Sequence, residues 1–153
     1  MEVFKKKKFN HIKIHTQYSI CEGAIKIENL KNYCKEKKIK TVGISDSFNL
    51  CGALEFSENI SKVGTQPIIG TQINIKFNDT QGCLPFIALN NKGYKRIIEL
   101  SSKSYLENNN SSEPYLDINE LYKNTEGVMI LSGNINGLIG KLFDKGRFKE
   151  IEK

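Results

Sequence analysis

Apolar and polar residues alternate at the start of the chain. Phe9 to His15 reads F-N-H-I-K-I-H, with Ile12 and Ile14 set against His11, Lys13 and His15. A period of two predicts a strand whose polar face carries three basic side chains. The spacing then lengthens: between Ile25 and Glu36, the residues Ile27, Leu30 and Cys34 form one helical stripe, with Ile25 and Tyr33 beside it. Lys40 to Ser45 is a short apolar run, the pattern of a buried strand. Asn49 stands where it would cap a helix running through Leu50, Ala53, Leu54 and Ile60 towards Val63, and Gly64 supplies the stop. Pro67 to Phe77 alternates again, with Ile73, Ile75 and Phe77 on one side, and Leu84 to Leu89 is a further strand candidate. A helix from Lys92 to Ser104 is expected to present Tyr94, Ile97, Ile98 and Ser101. Asn108 to Pro114 is the most loop-like stretch, and Asp117 with Glu120 reads as a capping pair opening a short helix. Gly127 to Ser132 is expected as a buried strand ended by Gly133, and Gly137 to Phe143 begins another helix.

Strands alternating with helices predict an α/β fold of βαβ units around a parallel sheet, open or closed into a barrel. No internal repeat or dividing linker interrupts the order. A chain of 153 residues is one domain's worth. It can bury about two thirds of its unfolded surface without a disulfide or metal staple. With 39% hydrophobic and 26% charged residues, it is neither collagen-like, low-complexity nor wholly disordered. No apolar run approaches the ~18 residues of a membrane span. Met1 to Phe9 is basic but lacks the apolar stretch of a secretory signal. A soluble, cytoplasmic protein with no membrane partner is the expectation.

The net charge of +6 is unevenly spread, because residues 1–40 hold 11 Lys and 4 Glu while the remainder is close to neutral. Lys5, Lys6, Lys7 and Lys8 form a run that could touch nucleic-acid phosphates as point charges. The alternative is a solvated terminus. Cys21, Cys34, Cys51 and Cys83 contain no C-x-x-C pair, which argues against a zinc knuckle. Their apolar neighbours predict buried, reduced thiols.

The sharpest candidate chemistry is His11-x-Lys13-x-His15. Histidines four apart on a strand stand ~13 Å apart, too far to share a metal. Position 13 is where a metal-binding strand would carry its second histidine, and a lysine there repels a cation. Strand ends elsewhere offer Asp46 with Ser47, Gln72 and Cys83; only Asp46 is a hard anionic ligand, and its place at a strand end suits it better to hydrogen bonding there. Phosphate-binding glycine loops and a nucleophile elbow are absent.

The same stretch, F-N-H-I-K-I-H-T-Q-Y-S-I-C-E-G-A from Phe9 to Ala24, resembles the opening motif of the PHP (polymerase and histidinol phosphatase) domain of bacterial DNA polymerase III alpha subunits. Further blocks follow in family order: Gly43 to Asp46, Asn49 to Gly52, Pro67 to Gly70, Asn90 to Tyr94 and Glu126 to Gly133. The resemblance implies part of a distorted (β/α)7 TIM-like barrel, truncated, with a basic tail over residues 1–8 and the PHP domain over 9–153. Metal-binding relatives carry H-x-H on the first strand, Asp-His after the second and Glu after the third. Matched residue by residue, Lys13 replaces the first histidine and His15 keeps the second. Ser47 replaces the histidine after Asp46, Gln72 stands for the Glu, and Cys83 falls where another histidine is common. The resemblance therefore implies the metal-free, proteobacterial type, with no catalytic residue and no cofactor in this segment.

It further implies a parent DNA-directed DNA polymerase using Mg2+, DNA and deoxynucleoside triphosphates. The segment itself would be a structural module that docks the proofreading exonuclease subunit. The sliding clamp and clamp loader would bind regions absent here. The alternative is an active metal-dependent phosphoesterase or 3′–5′ exonuclease. An interrupted barrel would expose a sheet edge and leave the segment poorly soluble.

Overall fold

The computed structural model describes residues 9–107 and 113–152. The lysine run Lys5 to Lys8, and Asn108 to Ser112 of the expected loop, lie outside the described residues. The elements in order are α1 (Ile27–Lys37), β1 (Thr41–Ser47), α2 (Ala53–Ser61), β2 (Gln66–Phe77), β3 (Thr80–Ala88) and α3 (Asn91–Leu106). They continue as β4 (Leu116–Asp117), α4 (Asn119–Lys123), β5 (Val128–Ile130), α5 (Leu138–Asp144) and α6 (Phe148–Ile151). No helix among the described residues is long and apolar enough to cross a membrane.

The sheet is mixed rather than parallel. β1 and β4 pair parallel with β2, while β3 pairs antiparallel with both β2 and β5. The reason lies in the turn: Asn78 and Asp79 alone join Phe77 to Thr80, and a two-residue link can only make a hairpin. Asn78 takes the positive φ of 54° that such a turn needs and that asparagine tolerates. The expected strand at Phe9 to His15 is reduced to one parallel bridge, Ile14 to Ile44. The His11 carbonyl accepts from the Gly43 N–H (2.7 Å) and the Ile14 carbonyl from the Ser45 N–H (2.8 Å). Its alternation survives, with Ile12 and Ile14 half-buried and His11 and Lys13 exposed.

The register sorts the two faces. Val42 and Ile44 of β1, Ile73 and Ile75 of β2, and Leu84 and Phe86 of β3 face the helices. They form two cores. Ile27, Leu30, Cys34, Val42, Ile44, Phe56 and Ile60 join α1 and α2 to β1. Ile73, Ile75, Leu84, Phe86, Ile97, Leu100, Leu138 and Leu142 join α3 and α5 to the hairpin. The other face carries Lys13, His15, Ser45, Ser47, Gln72 and Cys83, and this is the face that forms the site.

Two helix-start signals act one to three residues away from where they were expected. Asn49 accepts from the Cys51 N–H (3.0 Å) in its own turn, so Gly52, not Asn49, is the N-cap of α2. Asp117 likewise accepts from the Asn119 N–H (2.9 Å), and Glu120 turns away to Lys103 (3.0 Å) and Lys123 instead of closing a capping box. Asn90 does cap α3, accepting from the Gly93 N–H at 3.0 Å. Gly64, at φ +75°, ends the α2 turn as expected. Of the cysteines, only Cys34 is buried; Cys21 and Cys51 are exposed and Cys83 is half-buried. Cys21 sits in a turn at φ 65°, where its apolar neighbour Ile20 is also exposed.

Candidate functional site

Five of the six candidate positions meet in one pocket. Lys13, His15, Ser47, Gln72 and Cys83 line a cavity of about 330 Å³, together with Glu22, Phe48, Gly133, Asn134 and Asn136. The first segment brings Lys13 and His15, the end of β1 brings Ser47, and the facing residues of β2 and β3 bring Gln72 and Cys83. Gly133 and the two asparagines come from the turn after β5. Sequence reasoning missed Glu22, although it stands in the C-E-G-A block at the end of the opening motif.

His15 is held from one side. Its Nδ1 lies 3.3 Å from the Ser19 hydroxyl, 3.4 Å from the Ser47 hydroxyl and 3.5 Å from the Glu22 carboxylate. Ser47 donates to Glu22, and the Gln72 amide donates to the Ser47 hydroxyl at 3.2 Å. Burial pushes the Cys83 thiol up to about 11, with Lys13 pulling it down and Glu22 pushing it up. A thiol held there stays protonated at neutral pH and is a poor nucleophile or metal ligand.

Asp46, the sixth candidate, lies behind the pocket at 1% exposure. One of its oxygens accepts from the Thr16 N–H (2.6 Å) and the Ser19 hydroxyl (2.7 Å), and the other accepts from the Thr16 hydroxyl (2.8 Å). The Ser19 oxygen in turn accepts from the Ser47 N–H (3.1 Å). Asp46 thus ties the 16–19 turn to the end of β1, the strand-end hydrogen bonding that its position predicts.

The donor set does not fit a metal cluster. Among the described residues, no three His, Cys, Asp or Glu side chains are grouped to hold a metal ion. Lys13 brings a positive charge into the pocket, Gln72 brings a neutral amide, and both oxygens of Asp46 are engaged by Thr16 and Ser19. A metal would have to displace these hydrogen bonds and sit beside an ammonium group.

The family described as PHP domain matches residues 11–153. The DNA polymerase III subunit alpha of Haemophilus influenzae is 34% identical over 148 residues, covering 95% of this chain and 13% of that protein. The subunit alpha of Caulobacter vibrioides is 35% identical over 150 residues, covering 93% of this chain and 13% of its own length. The chain thus spans about 13% of the length of these curated relatives. Among solved structures, an amidohydrolase from Chromobacterium violaceum, with bound sulfate and no metal, aligns with a TM-score of 0.51 at 10% identity. It covers 65% of this chain and 34% of its own, a likeness of fold over part of the barrel.

Proposed function

The chain belongs to the PHP domain family, and from that premise we propose that it is the N-terminal PHP portion of a bacterial replicative DNA polymerase, the DNA polymerase III alpha subunit. In this reading residues 1–8 are a basic tail and 9–153 the PHP portion. The parent chain extends primers with deoxynucleoside triphosphates using Mg2+ held by carboxylates outside this segment. It works in the cytoplasm with the sliding clamp and clamp loader. The segment itself does no chemistry. It supports the polymerase fold and docks the proofreading exonuclease subunit.

The observation that carries the non-catalytic reading is the pocket's donor set. Lys13 and Gln72 occupy positions that a metal cluster would need as histidine and carboxylate. Ser47 is a hydrogen-bond relay between Gln72 and Glu22 rather than a ligand. What a metal would do for shape, holding the first segment to the ends of β1 and β2, is done here by hydrogen bonds among His15, Ser19, Asp46, Ser47 and Glu22.

Metal analysis of the purified protein, with a titration against the exonuclease subunit, tests both halves. Substoichiometric zinc, manganese and iron together with saturable exonuclease binding is the expected result. Stoichiometric metal, or metal-dependent release of nucleotide or phosphate that is lost in His15→Ala, would overturn the non-catalytic reading. Normal metal results without exonuclease binding would overturn the docking role alone.

A further inference from the structure

At the end of the sheet opposite the pocket, the ends of two helices and the starts of two strands are bound together. The Thr65 hydroxyl donates to the Ile39 carbonyl (2.7 Å), and the Gln66 N–H donates to the Lys40 carbonyl (2.8 Å). These bonds clasp the turn after α1 to the turn after α2. Four exposed lysines stand on this clasp: Lys35 in the last turn of α1, Lys38 at its cap, Lys40 before β1, and Lys62 at the cap of α2.

None of the four has a carboxylate or other acceptor among the described residues. The acidic groups nearby do not neutralise them, because Glu36 is taken by Lys37 (2.6 Å) and Glu58 makes no ion pair with Lys62 one turn on. Several lysines elsewhere are matched, as Lys31 is by Glu28 (2.7 Å), Lys92 by Glu126 (3.0 Å) and Lys103 by Glu120 (3.0 Å). Lys13, Lys26, Lys95 and Lys149 are not, but they sit on separate elements, in the first segment, at the start of α1, on α3 and on α6. The chain also enters the fold here. With Ile14 opposite Ile44, His11 falls beside Thr41.

Lysines at helix C-termini offset the helix dipole, which accounts for Lys35, Lys38 and Lys62 but leaves Lys40 without a use. We infer that this lysine-rimmed end of the fold is a nucleic-acid backbone surface, in which Lys35, Lys38, Lys40 and Lys62 contact phosphates. Its chemistry is that of point charges without an arginine fork. Such a surface binds the regular anions of a nucleic-acid backbone without reading base sequence. The rim lies away from the pocket, so metal content and exonuclease binding do not bear on it.

The test is fluorescence anisotropy with a labelled random-sequence duplex of roughly 30 base pairs over a fourfold range of salt. Four phosphate contacts predict that log K falls with log salt at a slope of about −3.6, a loss of about 150-fold across that range. The pair Lys40→Gln/Lys62→Gln should flatten the slope by about 1.8, because each neutralised contact contributes about 0.9. The distant exposed pair Lys26→Gln/Lys149→Gln should leave it unchanged. All of these substitutions are on exposed side chains, and equal thermal unfolding of the two double variants checks that the fold is intact. A flat salt response, equal slope changes for both pairs, or tighter binding to phosphatidylserine vesicles than to the duplex would each overturn the inference.

Discussion

Asp46→Ala tests the view that hydrogen bonds hold the site's strands together. The substitution removes three accepted bonds at once, from the Thr16 N–H, the Thr16 hydroxyl and the Ser19 hydroxyl. The losses are unequal. Hydroxyls can turn, and Ser19 still has His15 Nδ1 at 3.3 Å, but the Thr16 N–H is left buried without an acceptor. Bonds to a charged acceptor contribute about 1.5–3 kcal/mol each, and partial rescue of the hydroxyls brings the expected total to about 3–5 kcal/mol. At about 2–4 °C per kcal/mol for a chain of this size, the melting temperature should fall by roughly 6–20 °C. Asp46→Asn separates shape from hydrogen bonding. Its remaining oxygen can serve the Thr16 N–H and Ser19, and its amide can donate to the Thr16 oxygen, so about 1–1.5 kcal/mol should be lost. Urea unfolding followed by circular dichroism reads both variants, with unchanged denaturant slopes expected. An Ala variant within about 1 kcal/mol of the parent, or Ala and Asn variants equally destabilised, would refute the reasoning.

Other consequences can be measured in the same way. Ser45 Oγ is the one buried side-chain polar atom without a partner among the described residues, so Ser45→Ala should be neutral or stabilising by up to about 1 kcal/mol in the same urea assay. Thiol alkylation at pH 8, followed by peptide mass analysis, should modify Cys21 and Cys51 first. Cys83, pushed up to about 11 by burial, should react about 100-fold more slowly than an unperturbed thiol, and equal rates at Cys83 and Cys21 would contradict its placement. The Glu120 carboxyl is held below its usual range by Lys123 and Lys103. Its stabilising contribution is therefore present above the unfolded-state pKa and is lost as the pH falls through the folded one. Urea midpoints of the parent should fall more steeply on acidification than those of Glu120→Gln.

The core of this fold is written in its periodicities, and the direction of its strands is not. Ile73, Ile75 and Phe77 announced the face of β2, and the stripe of Ile27, Leu30 and Cys34 placed α1 within a residue or two. The expectation of a parallel sheet failed at β3 because the apolar run Leu84 to Leu89 looks the same in either direction. Direction is set five and six residues earlier, in the two-residue turn at Asn78 and Asp79. The site was legible as a set of positions through the resemblance to the PHP family, and Lys13, His15, Ser47, Gln72 and Cys83 do converge. Glu22 escaped because no local period or motif of ligands marks it. It reaches Ser47 only because the turn at Ser19 to Gly23 folds back over the end of β1. The cysteines misled for a related reason: an apolar neighbour such as Ile20 signals burial only in a regular element, not in a turn at positive φ.

The single bridge between Ile14 and Ile44 sets an order of opening. β2 and β3 share eight register pairs, whereas the first segment meets β1 through three backbone bonds, one of them at 3.3 Å. No strand covers its outer edge among the described residues. The amides of Ile14, Gly43 and Ser45 can therefore exchange with solvent by peeling of one edge, while those of the hairpin need the whole sheet to unfold. Lys13 and His15 leave with the peeling segment, so the pocket comes apart before the cores do. What opposes that motion is the grip of Asp46 on Thr16, one residue past His15.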